Sequence, residues 1–308
     1  MPSSESGSGE ILTPTFDAQK AINYLKGIQG ENGSFDNESD RYTDWVAVAF
    51  GSVNMPDTDK SREKIITYIG SNNTLYPDAI SNERRAIALL SLGQNPYSFN
   101  GIDYIKVIID AFKFDETRNM FQFGDFNEDN DDIFALIPLA NSGYTASDDI
   151  IIKDVAFVIS TQKDDGSWDN NPDMTGAAIQ ALKPFESISE VSGAIDKARE
   201  YLKNTQDCNN GDWWGNVFST SWAIQAESAL GILFNANCKT GLNYLISQQS
   251  ANGAVSPSSD TYASSLAIAA ASGKSWSEIM QSVLKPENKN NTSNFSSGTS
   301  YGTSFGTL

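Results

Sequence analysis

The chain has 308 residues with no histidine, two cysteines and only 21 Lys and Arg against 39 Asp and Glu. Without histidine, serine triads and cysteine–histidine dyads have no base, and ordinary catalytic zinc sites lose their usual ligand, so no zinc site is expected. Glycine-rich phosphate loops are missing as well. The formal net charge of −18 makes nucleic acid and anionic membrane surfaces poor partners. No uninterrupted apolar run approaches the roughly 18 residues of a membrane-crossing helix. Two cysteines do not make a disulfide framework. Cys208 follows one helical stretch and Cys238 precedes the next but one. A helix of some 14 residues between them would separate the two by about 20 Å, so both thiols are expected to be free.

What the chain does have is a repeat. An aromatic residue is followed five positions later by glutamine, then by glycine and a large apolar residue: Tyr24, Gln29, Gly33, Phe35; Phe157, Gln162, Gly166, Trp168; Tyr201, Gln206, Gly211, Trp213. A looser copy runs Tyr244, Gln249, Gly253, Val255. The glycines at 166, 211 and 253 lie 45 and 42 residues apart, and 33 to 166 is about three such steps, a period typical of stacked helical hairpins. Degenerate copies fall at Tyr68 with Asn73 and at Met120-Phe121-Gln122-Phe123-Gly124.

After each turn comes a stretch of small and aliphatic residues, such as Ala177-Ala178-Ile179 and Ala86-Ile87-Ala88, which suits a helix packed on several sides. The stretch before each turn is amphipathic. Six such pairs, outer helix polar and inner helix buried, close into a ring, and the end repeats lack the polar caps of an open stack. The expected fold is all-α, an (α/α)6 toroid over 17–284, between polar linkers at 1–16 and 285–308 that are rich in Ser, Gly, Asn and Thr.

The Q-x3-G-S-W turn followed by an alanine-rich helix resembles the repeat shared by squalene-hopene and other class II terpenoid cyclases, the β subunits of protein prenyltransferases and the cobalamin carriers. In that superfamily the glutamine and aromatic stitch one helix to the next, which implies a structural role for Gln29, Gly33, Phe35, Gln162, Gly166, Trp168, Gln206, Gly211, Trp213, Gln249 and Gly253. The prenyltransferase metal needs an Asp, a Cys and a His. The thioester-bearing relatives need Gly-Cys-Gly-Glu-Gln, which neither cysteine matches. The resemblance extends to toroids on bacterial cell-surface proteins. With the linker compositions it implies an extracellular or cell-surface domain tethered in a longer precursor, the alternative being a cytoplasmic one.

One acidic run stands out, Asp125-Phe126-Asn127-Glu128-Asp129-Asn130-Asp131-Asp132. Residues 129–132 spell D-x-D-D, similar to the proton-donor motif of class II cyclases. Carried over, Asp131 would protonate an alkene, with Asp129 and Asp132 polarising it, because clustered carboxylates cannot all ionise cheaply. The family's following Thr-Ala is here Ile133-Phe134. Asp125, Asn127 and Asp129 also repeat the opening spacing of a calcium loop, although its twelfth position is Leu136. The remaining reading is an acidic cap at a helix start.

The inner-helix starts should ring one mouth of the toroid and gather Asp44, Trp45, Arg84, Arg85, Asp132, Asp173, Trp222 and Tyr262 there. Aromatics beside hydrogen-bonding groups on a concave surface suit a small-molecule or protein ligand, and they suit packing and capping equally. The expected function is a non-catalytic module that binds a ligand or displays structure. The alternative is a cyclase-like enzyme using Asp131.

Overall fold

The computed structural model describes residues 15–37, 39–72, 75–255 and 260–286. The linker segments expected at the two ends fall mostly outside them, as does Asn73. Helices alternate between an outer and an inner layer. The outer ones are α1 (Ala18–Ile28), α3 (Lys60–Ser71), α5 (Tyr104–Asp110), α7 (Asp149–Ser160), α9 (Val191–Thr205) and α11 (Gly241–Gln248). The inner ones are α2 (Asp40–Ser52), α4 (Ala79–Ser91), α6 (Asn130–Asn141), α8 (Pro172–Leu182), α10 (Val217–Leu230) and α12 (Asp260–Ala271). Each inner helix packs on the next, and α12 packs on α2, so the ring closes.

The repeat residues do the joining. Gln29, Gln162, Gln206 and Gln249 each donate through Nε2 to a backbone carbonyl of the following outer helix or its start: Ser61, Ala194, Lys239 and Asp17 in turn. The bond from Gln249 to Asp17 links the last repeat to the first helix, which is how the chain ends of the ring are tied. Gly33, Gly166, Gly211 and Gly253 have φ between +89° and +99°. A Cβ at any of them would sit 2.2 to 2.3 Å from a carbonyl oxygen of that same neighbour, so only glycine satisfies both the backbone angle and the approach. Trp168 and Trp213 are buried and donate their indole N–H groups to Val158 and Leu202 carbonyls.

A second stitch fixes the start of every inner helix. The backbone N–H of the turn's large residue donates to a side chain in the first turn of the helix that follows: Phe35 to Thr43, Trp168 to Thr175, Trp213 to Thr220 and Val255 to Ser264. The degenerate repeats keep the bond with different chemistry, Tyr76 to Asn82 and Phe123 to Asp132. The third turn departs furthest. A two-stranded antiparallel hairpin, β1 (Lys113–Asp115) and β2 (Met120–Gln122), stands there in place of the Q-x3-G turn.

The cysteine expectation is corrected. Cys208 and Cys238 form a disulfide with their Cα atoms 4.5 Å apart. The expected separation is the length of α10 alone. Outer helix α11 has 8 residues against 15 in α9, and the missing turns are replaced by segment 231–240. Ten extended residues reach about 33 Å, enough to run back the length of α10. On the way Asn235 Nδ2 donates to the Lys203 carbonyl at 2.7 Å and Lys239 N to the Cys208 carbonyl at 3.2 Å.

The end of the ring away from the repeat turns is closed by the chain that follows α12. The short helix α13 (Trp276–Ile279) places Trp276 against Trp222, 5.0 Å between ring centroids and stacked, and edge-on to Trp45 at 5.3 Å. Asn141 on α6 donates to the Ser277 and Met280 carbonyls, and Gln281 N donates to the Leu90 carbonyl.

Candidate functional site

The stitch acceptor sets the register of each inner helix. Residues two before and two after it lie on one helix face, since i and i+4 are neighbours, and that face looks down the ring axis. The pairs are Arg41 and Trp45, Ile80 and Arg84, Asn130 and Phe134, and Asp173 and Ala177, with Trp222 from α10 and Tyr262 from α12. All of these line a single cavity of about 500 Å³, and all six inner helices contribute.

Its apolar part is an aromatic cluster. Trp45 meets Trp222 edge-on at 6.1 Å and lies 5.5 Å from Tyr262, while Phe134 meets Trp222 edge-on at 5.7 Å. Trp276, under Trp222, forms the layer beneath. The polar part is two guanidiniums and one carboxyl group. Arg41 lies 5.5 Å from the centre of the Tyr262 ring. Arg84 is held by Asp44 through Nε at 3.2 Å. Asp173 accepts from Ser219 Oγ at 2.5 Å. Burial raises the Asp173 carboxyl above its ordinary range, against the Ser219 bond, and pushes the Tyr262 hydroxyl up to about 12.

Of the residues expected at the mouth, Trp45, Arg84, Asp173, Trp222 and Tyr262 line the cavity. Asp44, Arg85 and Asp132 are fully buried behind it. The position after the stitch acceptor faces the neighbouring inner helix, so Asp44 reaches Arg85 Nε at 2.7 Å across the α2–α4 contact. Burial opposes the Arg85 charge, yet Asp44 and Asp40 hold its pKa above the ordinary value. Arg41, Asn130 and Phe134 on the wall went unrecognised in the sequence. The signal that finds them is the hydroxyl of the regular repeats: counting two back and two forward from Thr43, Thr175 and Thr220 and carrying that register to Asp132 selects them.

The D-x-D-D run divides. Asp132 is the third repeat's stitch, accepting from Phe123 N at 2.6 Å. Asp131 stands one position earlier and turns towards its own loop, accepting from Asp125 N at 2.9 Å and lying against Gly124. Asp129 is bound by Arg118 at 2.8 Å. The calcium spacing does not converge: Asp125 Oδ1 accepts from Asn127 N and Nδ2 in a local turn, while Arg118 occupies the cation position at Asp129. Among the described residues, no three His, Cys, Asp or Glu are grouped to hold a metal ion.

Behind this wall lies a cluster of buried carboxylates. Glu83 and Asp154 are fully buried, neither Glu83 oxygen has a hydrogen-bond partner, and the Asp154 carboxyl is paired with that of Asp132. Burial, followed by the neighbouring acids, raises Glu83 and Asp154 well above the ordinary carboxyl range. Asp132 is pushed up to about 7 by burial, with Asp131 and Asp129 adding to it.

No family model matches the chain. Solved structures match its fold. Type II terpene cyclase MstE from Scytonema superposes with a TM-score of 0.63 at 10% identity, covering 83% of this chain and 96% of that one. A variant of it in complex with geranylgeranyl dihydroxybenzoate gives 0.64, again at 10% identity, over 85% and 97%. The GH76A α-1,6-mannanase from Salegentibacter sp. HEL1_6 gives 0.58 at 12% identity over 83% and 97%. The fold is a terpenoid cyclase-like α/α toroid. The same toroid carries a terpene cyclase and a glycan hydrolase, so the fold leaves the chemistry of this one to its own cavity.

Proposed function

We propose that this toroid is a non-catalytic, small-molecule-binding domain acting outside the cell or on its surface. The observation that carries it is one cavity walled by all six inner helices, aromatic on its sides and stoppered at the far end by Trp276. A concave, mostly apolar space with a few convergent polar groups is what a small-molecule site requires. The disulfide between Cys208 and Cys238 supports an oxidising compartment, as do the linker compositions at both ends.

The cyclase alternative needs its acid at the substrate. Asp131 is instead turned to Gly124 and Asp125, off the cavity wall, which favours binding over catalysis. Calorimetric titration with 2-naphthamide, a planar neutral probe that fits the volume, tests the binding half. Saturable binding that Ala177→Trp abolishes is expected, Ala177 being on the wall. No saturable heat up to millimolar probe would overturn it. Incubation with a geranylgeranyl-bearing substrate tests the other half: Asp131-dependent formation of cyclic product would overturn the non-catalytic reading.

A further inference from the structure

We infer that the cavity selects an organic anion, a hydrophobic carboxylate whose planar body lies among the aromatic rings and whose charged end is held by Arg41 and Arg84. This rests on the cavity being a ligand site, and it adds the ligand's charge.

The whole chain carries −18, so a randomly lined cavity would be acidic. The ionisable side chains with a proton or charge to offer at this wall are Arg41, Arg84 and Asp173, beside the neutral Tyr262. Two cations thus face one carboxyl group in a concavity of an acidic protein.

The architecture keeps the guanidiniums there. Arg84 comes from the axis-facing position of α4, its Nε bonded to Asp44 and its guanidinium 6.0 Å from the centre of the Tyr76 ring. Asp44 is at the same time bound to Arg85, whose other neighbours are Asp40 at 3.4 Å and the Tyr76 hydroxyl at 2.6 Å. Asp44 and Asp40 thus pair with Arg84 and Arg85, and among the described residues Arg41 is in no ion pair, which leaves its charge to the cavity, opposite Asp173. Arg41 lies against the Tyr262 ring, where stacking orients a planar guanidinium. A guanidinium presents paired donors that match a carboxylate. The ring cluster of Trp45, Trp222, Tyr262 and Phe134 offers faces and edges to a flat apolar body.

Asp173, across the cavity, would repel an anion if ionised. Its bond from Ser219 and its burial bear on that repulsion, and removing its charge should strengthen anion binding.

The test compares 2-naphthoate with its neutral isostere 2-naphthamide by calorimetry at neutral pH on the full chain. Naphthoate is expected to bind at least tenfold more tightly. Arg41→Gln, on the exposed rim, and Arg84→Gln should each cut that preference severalfold, by lowering naphthoate affinity more than naphthamide affinity. Asp173→Asn should raise naphthoate affinity alone. Arg41→Gln keeps the test informative if Arg84→Gln disturbs the Asp44 pair and the fold. Equal affinity for the two probes, or a preference that survives both arginine substitutions, overturns the anion assignment and leaves the cavity reading intact. Failure of both probes to bind overturns the cavity reading, and this assignment with it.

Discussion

The two sides of the ring solve one packing problem with different chemistry. On the side built by α7 to α12 the repeat is regular: glutamine to the next outer helix, glycine against its carbonyl, a buried indole in two hairpins and Val255 in the third, and a Thr or Ser hydroxyl accepting the turn's N–H. On the side built by α4 and α6 the glutamine and glycine are lost, the hairpin of β1 and β2 intervenes, and Asn82 and Asp132 take the hydroxyl's place. A hydroxyl gives the bond without a charge. A carboxylate gives the same bond and brings a titratable group into the interior, next to Glu83 and Asp154. The hydroxyl stitches themselves should therefore be indifferent to pH, and the carboxylate stitch of the third repeat should respond to protons.

The largest expected effect breaks the regular side. Trp168→Ala removes a 2% exposed indole and its hydrogen bond to the Val158 carbonyl, which keeps its bonds from Thr161. A loss of about 3 to 5 kcal/mol is expected by urea denaturation. An unchanged midpoint would mean that the turn is not a stitch.

Next comes the pH response of the degenerate side. Glu83, Asp132 and Asp154 have folded pKa values raised above their unfolded ones, so the folded state binds more protons than the unfolded one between them. The stability these groups contribute is fully present below about pH 4 and is lost as pH rises through about 7, the value for Asp132. The fall should be of the order of 2 to 4 kcal/mol between pH 5 and pH 8. Glu227 on α10, also pushed up to about 7 by burial, contributes to the same window, so the comparison that matters is with Asp132→Thr. That substitution installs the hydroxyl of the regular repeats and should flatten the curve while the fold is kept. A parent protein that gains stability from pH 5 to pH 8 would reverse the assignment.

The smallest effect sharpens the division within the acidic run. Asp131→Asn should cost no more than about 1 kcal/mol, the scale of a helix-start charge, and should leave naphthoate binding unchanged, because Asp131 is off the wall. Loss of binding would place it in the site after all.

Much of the fold was legible because its determinants are short-range. The spacing of Gln162, Gly166 and Trp168 is set within one turn, and the alternation of amphipathic and all-apolar helices is set within one hairpin. The site was legible in part. Trp45, Arg84, Asp173, Trp222 and Tyr262 could be found as aromatic or polar residues at inner-helix starts. Arg85 and Asp132 looked equivalent to them because sequence shows proximity to a helix start but not which way a side chain turns. One step of about 100° around a helix separates the cavity from the contact between neighbours.

By itself, then, the sequence determined the repeat, the hairpin count, the acidity and the absence of histidine chemistry, all of which follow from residue types and local spacing. Tertiary structure decided the rest. It decided that Asp131 turns to its own loop and that Asp132 is a stitch. It brought Cys238 back to Cys208 through a shortened outer helix, and it closed one end of the ring with Trp276. Each of these depends on the register of a helix against neighbours up to more than 100 residues away, as between Asn141 and Ser277. That register is fixed only when the ring closes and every helix has to satisfy two neighbours at once.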